Sequence, residues 1–181
     1  MRNIPFLVAV PALLAAAPVF SAEYVTAPAA QRAMFPTATA FVPVEIALTD
    51  SRRDAIKRLS GVRQRLPTQP VWRAEQDGKL LGWFIVDEVV GKHEFITYAT
   101  GILPDGHVLA VDVLVYRETY GFQIRAASWR SQFTGKSLGD AFRLDGDVTS
   151  ITGATLSCRN VSNGVKRLLA LHKTVLAADA P

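Results

Sequence analysis

VWRAEQDGKLLGWFIVDEVVGKHEFITYATGILPDGHVLAVDVLVY, residues 71–116, is the stretch that decides the fold. Val71–Glu75 and Leu80–Val90 are rich in β-branched and aromatic residues and are split by Asp77-Gly78. That pair suits the tight turn joining twisted antiparallel strands. Gly91-Lys92-His93 reads as a second turn and Phe95–Ile102 as a third strand. Pro104-Asp105-Gly106 is a third turn, in which proline sets one dihedral and glycine accepts another. Val108–Tyr116 follows as an almost unbroken apolar run, the pattern of a strand covered on both faces. These segments predict an antiparallel β-meander of about four strands flanked by helices, an α+β single domain following a signal peptide.

Helices are expected on either side of the meander. The segment from Glu23 to Pro70 reads as a helical extension, with one short helix around Ala29–Met34. A second helix, capped by Thr49 or Asp50, places Ala55, Ile56 and Leu59 on one face and ends at Gly61. Near the C-terminus, Val161, Val165, Leu168 and Leu169 fall at spacings of four, seven and eight, one stripe of an amphipathic helix. The expected organisation is a signal peptide over residues 1–22, the extension over 23–70 and the main domain over 71–175.

The beginning of the chain has the pattern of an export signal. Arg2 supplies the charge, Ile4 to about Ala17 is apolar, and Val19-Phe20-Ser21-Ala22 offers small residues for cleavage. The run is short and broken by Pro5, Pro11 and Pro18, whereas a spanning helix needs about 20 apolar residues. The formal charge of the 181 residues is +4, so loss of Arg2 with the signal leaves +3. That surplus is too small and scattered for nucleic acid. Basic residues gather at Arg52, Arg53, Lys57, Arg58, Arg63 and Arg65, which reads as a solvated helix face or a surface for an acidic partner or membrane. Cys158 is the single cysteine, so no internal disulfide holds the domain. It has no base nearby in sequence and reads as a small buried side chain. His93, His107 and His172 belong to different elements and assemble no metal-ligand spacing. No Gly-x-Ser-x-Gly elbow surrounds Thr155 or Ser157, which sets acyl transfer aside.

The chemistry is carried by Thr152-Gly153-Ala154-Thr155-Leu156-Ser157-Cys158, which opens directly into the C-terminal helix. Gly153 and Ala154 leave backbone N–H groups accessible, and the first helical turn favours an anion. The same residues can be an ordinary helix start with Thr155 or Ser157 as N-cap. Upstream lie Glu118-Thr119-Tyr120-Gly121, Trp129-Arg130-Ser131-Gln132-Phe133 and Gly135-Lys136, mixtures usual in binding loops. Trp129 and Phe133 are also spaced for core packing on a short helix.

From Gly82 to Leu171 the chain resembles the FMN-binding domain family, as found in the C subunit of the sodium-pumping NADH:quinone oxidoreductase and the G subunit of the Rnf complex. In that family FMN is joined through its phosphate to a threonine, and a periplasmic flavin transferase makes the bond from FAD. Thr152-Gly153-Ala154-Thr155 matches the last four positions of the acceptor motif, so the resemblance implies covalent FMN on Thr155. Thr152, Gly153 and Ala154 would shape the phosphate turn. Glu118-Thr119-Tyr120-Gly121 is similar to the family's Glu-Thr-Pro-Gly loop, and Phe133-Thr134-Gly135-Lys136 to its Phe-x-Gly-Lys segment. Glu118, Thr119 and Lys136 are therefore candidates for the flavin pocket, with Trp83, Tyr98, Tyr120 and Trp129 as candidate ring contacts. Thr149 stands where the motif has Asp, and Asp147 lies two residues early. The implied function is that of a periplasmic electron-transfer flavoprotein serving a membrane-bound redox partner, a redox carrier rather than a self-contained oxidoreductase. A non-redox periplasmic binding or assembly module with the same fold and no flavin is the alternative.

Overall fold

The computed structural model describes residues 22–23 and 25–179. The signal peptide expected over residues 1–22 lies, apart from Ala22, outside the described residues. Six antiparallel strands form one sheet: β1 (Ala22–Glu23), β2 (Ala40–Val44), β3 (Val71–Gln76), β4 (Lys79–Val90), β5 (Phe95–Ile102) and β6 (Val108–Tyr116). Their order is β1-β6-β5-β4-β3-β2, so β3 to β6 are the expected meander and the two flanking strands extend it. Asp77 and Gly78 both take positive φ (51° and 79°), as a tight hairpin turn requires. At the β5–β6 turn the Gly106 N–H donates to Leu103 O at 2.9 Å, with Pro104 at the second position.

The meander expectation of about four strands falls short by β2 and the two-residue β1. Pro43 within Ala40–Val44 argues against a strand in sequence, because proline cannot donate to a ladder. It is accommodated because β2 is an edge strand, with Pro43 opposite Trp72. Thus residues 23–70 contribute a strand to the sheet as well as two helices.

Alternation along the strands sends side chains to two separate cores. On one face α1 (Ala27–Met34), capped by Thr26, sets Ala30, Met34 and Phe35 against Ala74, Phe84, Ala99 and Leu114. The helix approaches the sheet at Gly82, where a Cβ would lie 2.9 Å from the Phe35 ring and 2.5 Å from Ile102 O. The other face carries the larger core, under α2 (Asp50–Ser60) and α4 (Thr155–Leu171). Thr49 caps α2 by accepting from Arg52 N, and Gly61 ends it at φ 75°. Val161, Val165, Leu168 and Leu169 of α4 are all buried, as is Cys158. Burying one such aliphatic side chain contributes about 1.5 to 3 kcal/mol, so the stripe fixes α4 firmly on the sheet. With both faces of β4 to β6 covered, their continuous apolar sequences are explained.

Between β6 and α4 the chain makes a short helix, α3 (Ala127–Arg130), a 3-10 turn over Ser131–Phe133, and an irregular segment. Trp129 and Phe133 are core residues there, their rings 5.1 Å apart edge to face. Beyond α4 the helix widens over His172–Leu176.

Candidate functional site

Thr155 is the first residue of α4, and its side chain is exposed. It is neither buried core nor cap: the capping position belongs to Ala154, which supplies no side-chain hydrogen bond. Ser157, the other sequence candidate for the cap, is buried. The chain reaches Thr155 through a turn closed by Ala154 N donating to Ile151 O at 2.9 Å. Gly153 occupies that turn at φ 80°, with no heavy atom within 4 Å of where a Cβ would stand. Thr152 and Gly153 are exposed, whereas Ala154 is buried. A hydroxyl therefore projects into solvent beside backbone donors that no side chain caps. This is where a phosphate monoanion or diester would be stabilised by the N–H groups and dipole of a helix start.

The Glu118–Gly121 loop lies against this turn. Gly121, at φ 83°, is so close to Ala154 that a Cβ would come within 2.3 Å of the alanine methyl. Tyr116, buried at the end of β6, donates from Oη to Tyr120 O at 2.5 Å and fixes the loop. Burial, opposed in part by Ser157, raises the Tyr116 phenol, so it remains a neutral donor. Tyr116 is absent from the sequence candidates because it looks like the last residue of an apolar strand.

Glu118 faces the β4–β5 turn. Its Oε1 accepts from His93 N at 2.6 Å and Glu94 N at 3.0 Å. Burial raises the carboxyl, but the backbone donors of Glu94, His93 and Lys92 outweigh it, and the net shift is downward. Gly91 permits the approach, since a Cβ there would meet Glu118 Oε1 at 2.4 Å. Thr119 and Tyr120 are exposed, Tyr120 at 77%. Of the four aromatic candidates for ring contacts, Tyr120 alone is at the surface. Trp83 packs on His172, Tyr98 is sealed in the core, and the Trp129 indole N–H donates to Thr149 O at 2.8 Å.

Lys136 is drawn to a different partner. Its Nζ lies 2.9 Å from Asp147 Oδ2 and over the Phe142 ring, 5.6 Å from the centroid. Asp147 also accepts from Phe142 N at 3.0 Å and Arg143 N at 2.6 Å. Burial would raise this carboxyl, yet the bond from Lys136 and the two backbone donors hold it down at about 2. Asp147 thus organises the 142–148 loop and is not turned to the role of an Asp at 149. Thr149 itself is held by its backbone, its N–H donating to Gln132 Oε1 at 2.7 Å opposite the Trp129 bond. Gln132 stands out in sequence only as part of a mixed loop. Thr152 to Thr155 and Glu118 to Gly121 are therefore assembled at one end of the sheet, while the Lys136 ammonium is committed to the 142–148 loop.

Cys158 is buried, and burial raises its thiol. Among the described residues no group of three or more His, Cys, Asp or Glu could hold a metal, and no helix is long and apolar enough to cross a membrane. Tyr120, Phe122 and Leu156 are exposed in the segments adjoining the Thr155 turn.

Residues 91–170 match the FMN-binding domain family. Over 104 residues the chain is 31% identical to the G subunit of the proton-translocating ferredoxin:NAD(+) oxidoreductase complex of Clostridium ljungdahlii, covering 52% of this chain and 56% of that protein. Over 82 residues it is 38% identical to the G subunit of the ion-translocating oxidoreductase complex of Shewanella baltica, 39% of each chain. The matched region therefore spans little more than half the length of the first of these curated relatives, and less of the second. The crystal structure of Shewanella oneidensis NqrC superposes with a TM-score of 0.57 at 21% identity, over 79% of this chain and 84% of that one. That likeness concerns the fold, and its coverage of this chain exceeds the 91–170 match. The turn, the loop against it and the exposed threonine all lie inside residues 91–170, the part of the chain that matches the FMN-binding domain family.

Proposed function

We propose that this protein is a periplasmic electron-transfer flavoprotein that carries FMN through a phosphodiester on Thr155. The observation that carries the reading is the exposed Thr155 hydroxyl at the uncapped start of α4, directly after the open Gly153 turn. The two relatives to which the chain is similar, by their names parts of oxidoreductase complexes, support a role beside a membrane-bound redox partner. The export-type sequence of residues 1–22 supports the periplasmic location.

Each residue has a definite task in this reading. Thr155 Oγ1 attacks the FMN phosphorus of FAD in the site of a flavin transferase. One O–P bond forms, the pyrophosphate bond breaks, the hydroxyl proton is lost and AMP leaves. The diester retains one negative charge, which the first-turn N–H groups of α4 and the peptide of the Gly153 turn stabilise. Thr152 and Gly153 leave space for the phosphate, and Ala154, wedged against Gly121, keeps the turn from moving. Glu118 fixes the loop that carries Thr119 and Tyr120 beside it. Bound flavin supplies one- and two-electron exchange, and the protein supplies position and electrostatics. A covalent link keeps the group at its site at high effective concentration outside the cytoplasm, even with few non-covalent contacts.

One observation favours a second reading, a non-redox periplasmic module of the same fold. Thr149 replaces the motif's Asp, and Asp147 is bound to Lys136 and the 142–143 backbone. Intact mass and in-gel flavin fluorescence decide between them, on protein exported from a host with an active flavin transferase. The expected result is a gain of one FMN less one water on the peptide holding Thr155, absent in Thr155→Ala. An unmodified wild type, in a host that loads a control acceptor, overturns the attachment on Thr155 and puts the second reading in the lead.

A further inference from the structure

Away from the Thr155 turn, residues 63–65 form a wall between two concavities. One, of about 660 Å³, runs between α4 and the end of β4, with Val62, Leu66, Val89, Val90 and Phe95 on its apolar sides. The other, of about 440 Å³, lies under α2 and is lined by Arg53, Lys57, Asp50 and Asp54. Arg63 and Arg65 line both.

The wall is rooted in the core. Gln64 is buried, accepts from Arg167 Nη1 at 2.6 Å, and donates to Gln69 Oε1 at 3.3 Å. Arg167 is in turn paired with buried Asp87, which also accepts from Tyr98 Oη at 2.5 Å. The Arg167–Asp87 pair on the floor of the larger cleft is internally neutralised; exposed Glu88, which accepts from Thr97 Oγ1 at 2.9 Å, shares that lining with Arg63 and Arg65, and the two arginines leave the rim net positive. Arg63 and Arg65 are exposed, and among the described residues no ion pair holds either of them or Lys57. In the smaller cleft Arg53 is paired with Asp50, leaving Lys57, Arg63 and Arg65 against Asp54 alone. Beside this positive rim, Leu66 and Phe95 are each 51% exposed, although the core would readily take such side chains.

We propose that these joined clefts are a docking groove for an acidic segment of a partner protein, with carboxylates meeting Arg63, Arg65 and Lys57 and large apolar side chains meeting Leu66, Val90 and Phe95. Concavity favours a protruding segment: charges on the walls of a cleft converge on an inserted chain, whereas a bilayer surface is flat and would meet them only at the rim. The position gives the groove its use. Asn160, Gly164 and Arg167 line it, five, nine and twelve residues along α4 from Thr155, so measured along the helix axis it begins about 7 Å from the tether and extends to about 18 Å. A partner seated there is held within reach of an electron carrier on Thr155; that consequence, though not the docking itself, rests on the flavin assignment.

The test is fluorescence anisotropy on the full exported chain, with a short fluorescein-labelled peptide of alternating Glu or Asp and Leu or Phe. Its Lys-for-acid counterpart and anionic phosphatidylglycerol vesicles serve as comparisons. The acidic peptide is expected to saturate, with affinity falling as salt rises. Arg63→Glu/Arg65→Glu should weaken it roughly tenfold and Phe95→Ser several-fold, while both variants keep the wild-type unfolding midpoint. The Lys peptide should not bind and vesicles should not compete. Equal binding by the charge-reversed variant, or no saturation, overturns the proposal. So does sedimentation with vesicles that depends on Arg63 and Arg65, which would make the surface a membrane contact. Thr155→Ala should bind the peptide unchanged, so failure of the flavin assignment leaves this result standing, and flavin loading without peptide binding defeats the groove alone.

Discussion

Gly164→Ala should destabilise this protein, although helix propensity predicts the opposite. Gly164 lies in the middle of α4, where alanine is ordinarily favoured over glycine by about 1 kcal/mol. Here a Cβ would stand 2.1 Å from Tyr98 Oη, 3.0 Å from its Cζ and 3.1 Å from Val89 Cγ1. The phenol cannot swing aside freely, because it is fully buried and donates to Asp87, which also holds Arg167. Overpacking costs about 1 to 3 kcal/mol, and a loosened contact within a buried ionic cluster adds to it. Against a gain of about 1 kcal/mol, the net expectation is a loss of about 2 kcal/mol, read as a lower urea midpoint at unchanged slope. Tyr98→Phe removes the nearest atom, leaving contacts of 3.0 and 3.1 Å that need only a small shift. In that background the cost of Gly164→Ala should fall below about 1 kcal/mol, a coupling of more than about 1 kcal/mol in the double-mutant cycle. A Gly164→Ala protein more stable than wild type, or the same cost in both backgrounds, refutes the packing argument.

Three further outcomes follow from the site. Asp147, held at about 2 against an ordinary value of 3.8, binds protons less readily folded than unfolded. Its contribution is therefore present above about pH 4 and lost as pH falls through about 2. Discounted for partial exposure it amounts to about 1 kcal/mol, and acid titration of stability in Asp147→Asn should lack that increment. Glu118, also depressed, contributes in the same sense; Glu118→Ala should cost about 1 kcal/mol and speed amide exchange at His93 and Glu94, and unchanged exchange there would contradict the observed bonding. Thr149→Asp should leave the unfolding midpoint within about 0.5 kcal/mol, since the threonine side chain is exposed and its backbone is held by Trp129 and Gln132, while raising the initial rate of FMN incorporation.

Local signals carried the sequence as far as local physics reaches. The Asp77-Gly78 hairpin, the stripe from Val161 to Leu169 and the Gly61 stop each depend on neighbours within a few residues, and each is found as read. β2 was not legible, because Pro43 disfavours a strand and only the finished sheet reveals that β2 is an edge. The site divides the same way. Thr152 to Thr155 announced themselves as a contiguous motif, but the partners of Glu118 and Lys136 are backbone groups or loop carboxylates chosen by the fold. Arg167 meets Gln64 across 103 residues of chain, a pairing that no spacing rule exposes. Tyr116 is the instructive miss: the unbroken apolar run marked it as a buried strand residue, which it is, and its hydroxyl does the positioning.

The start of α4 is where stability and function pull apart. Ser, Thr, Asp or Asn at the capping position would bond the first-turn N–H groups and stabilise the helix by about 0.5 to 2 kcal/mol over alanine. This chain caps both α1 and α2 with threonine, yet gives the longer α4 an alanine, Ala154. Packing explains part of the choice, since the Ala154 methyl already lies hard against Gly121 and a larger side chain would force the loop away. The proposed attachment would account for the rest: a capping side chain would occupy the donors that an anion on Thr155 needs. Once esterified, the phosphate would itself satisfy those N–H groups and lie at the positive end of the helix dipole, restoring what the missing cap forgoes. If FMN is carried on Thr155 as proposed, the phosphate takes the place of the cap, so loading with FMN should also raise stability. Such a gain would separate a working acceptor threonine from one that is only exposed.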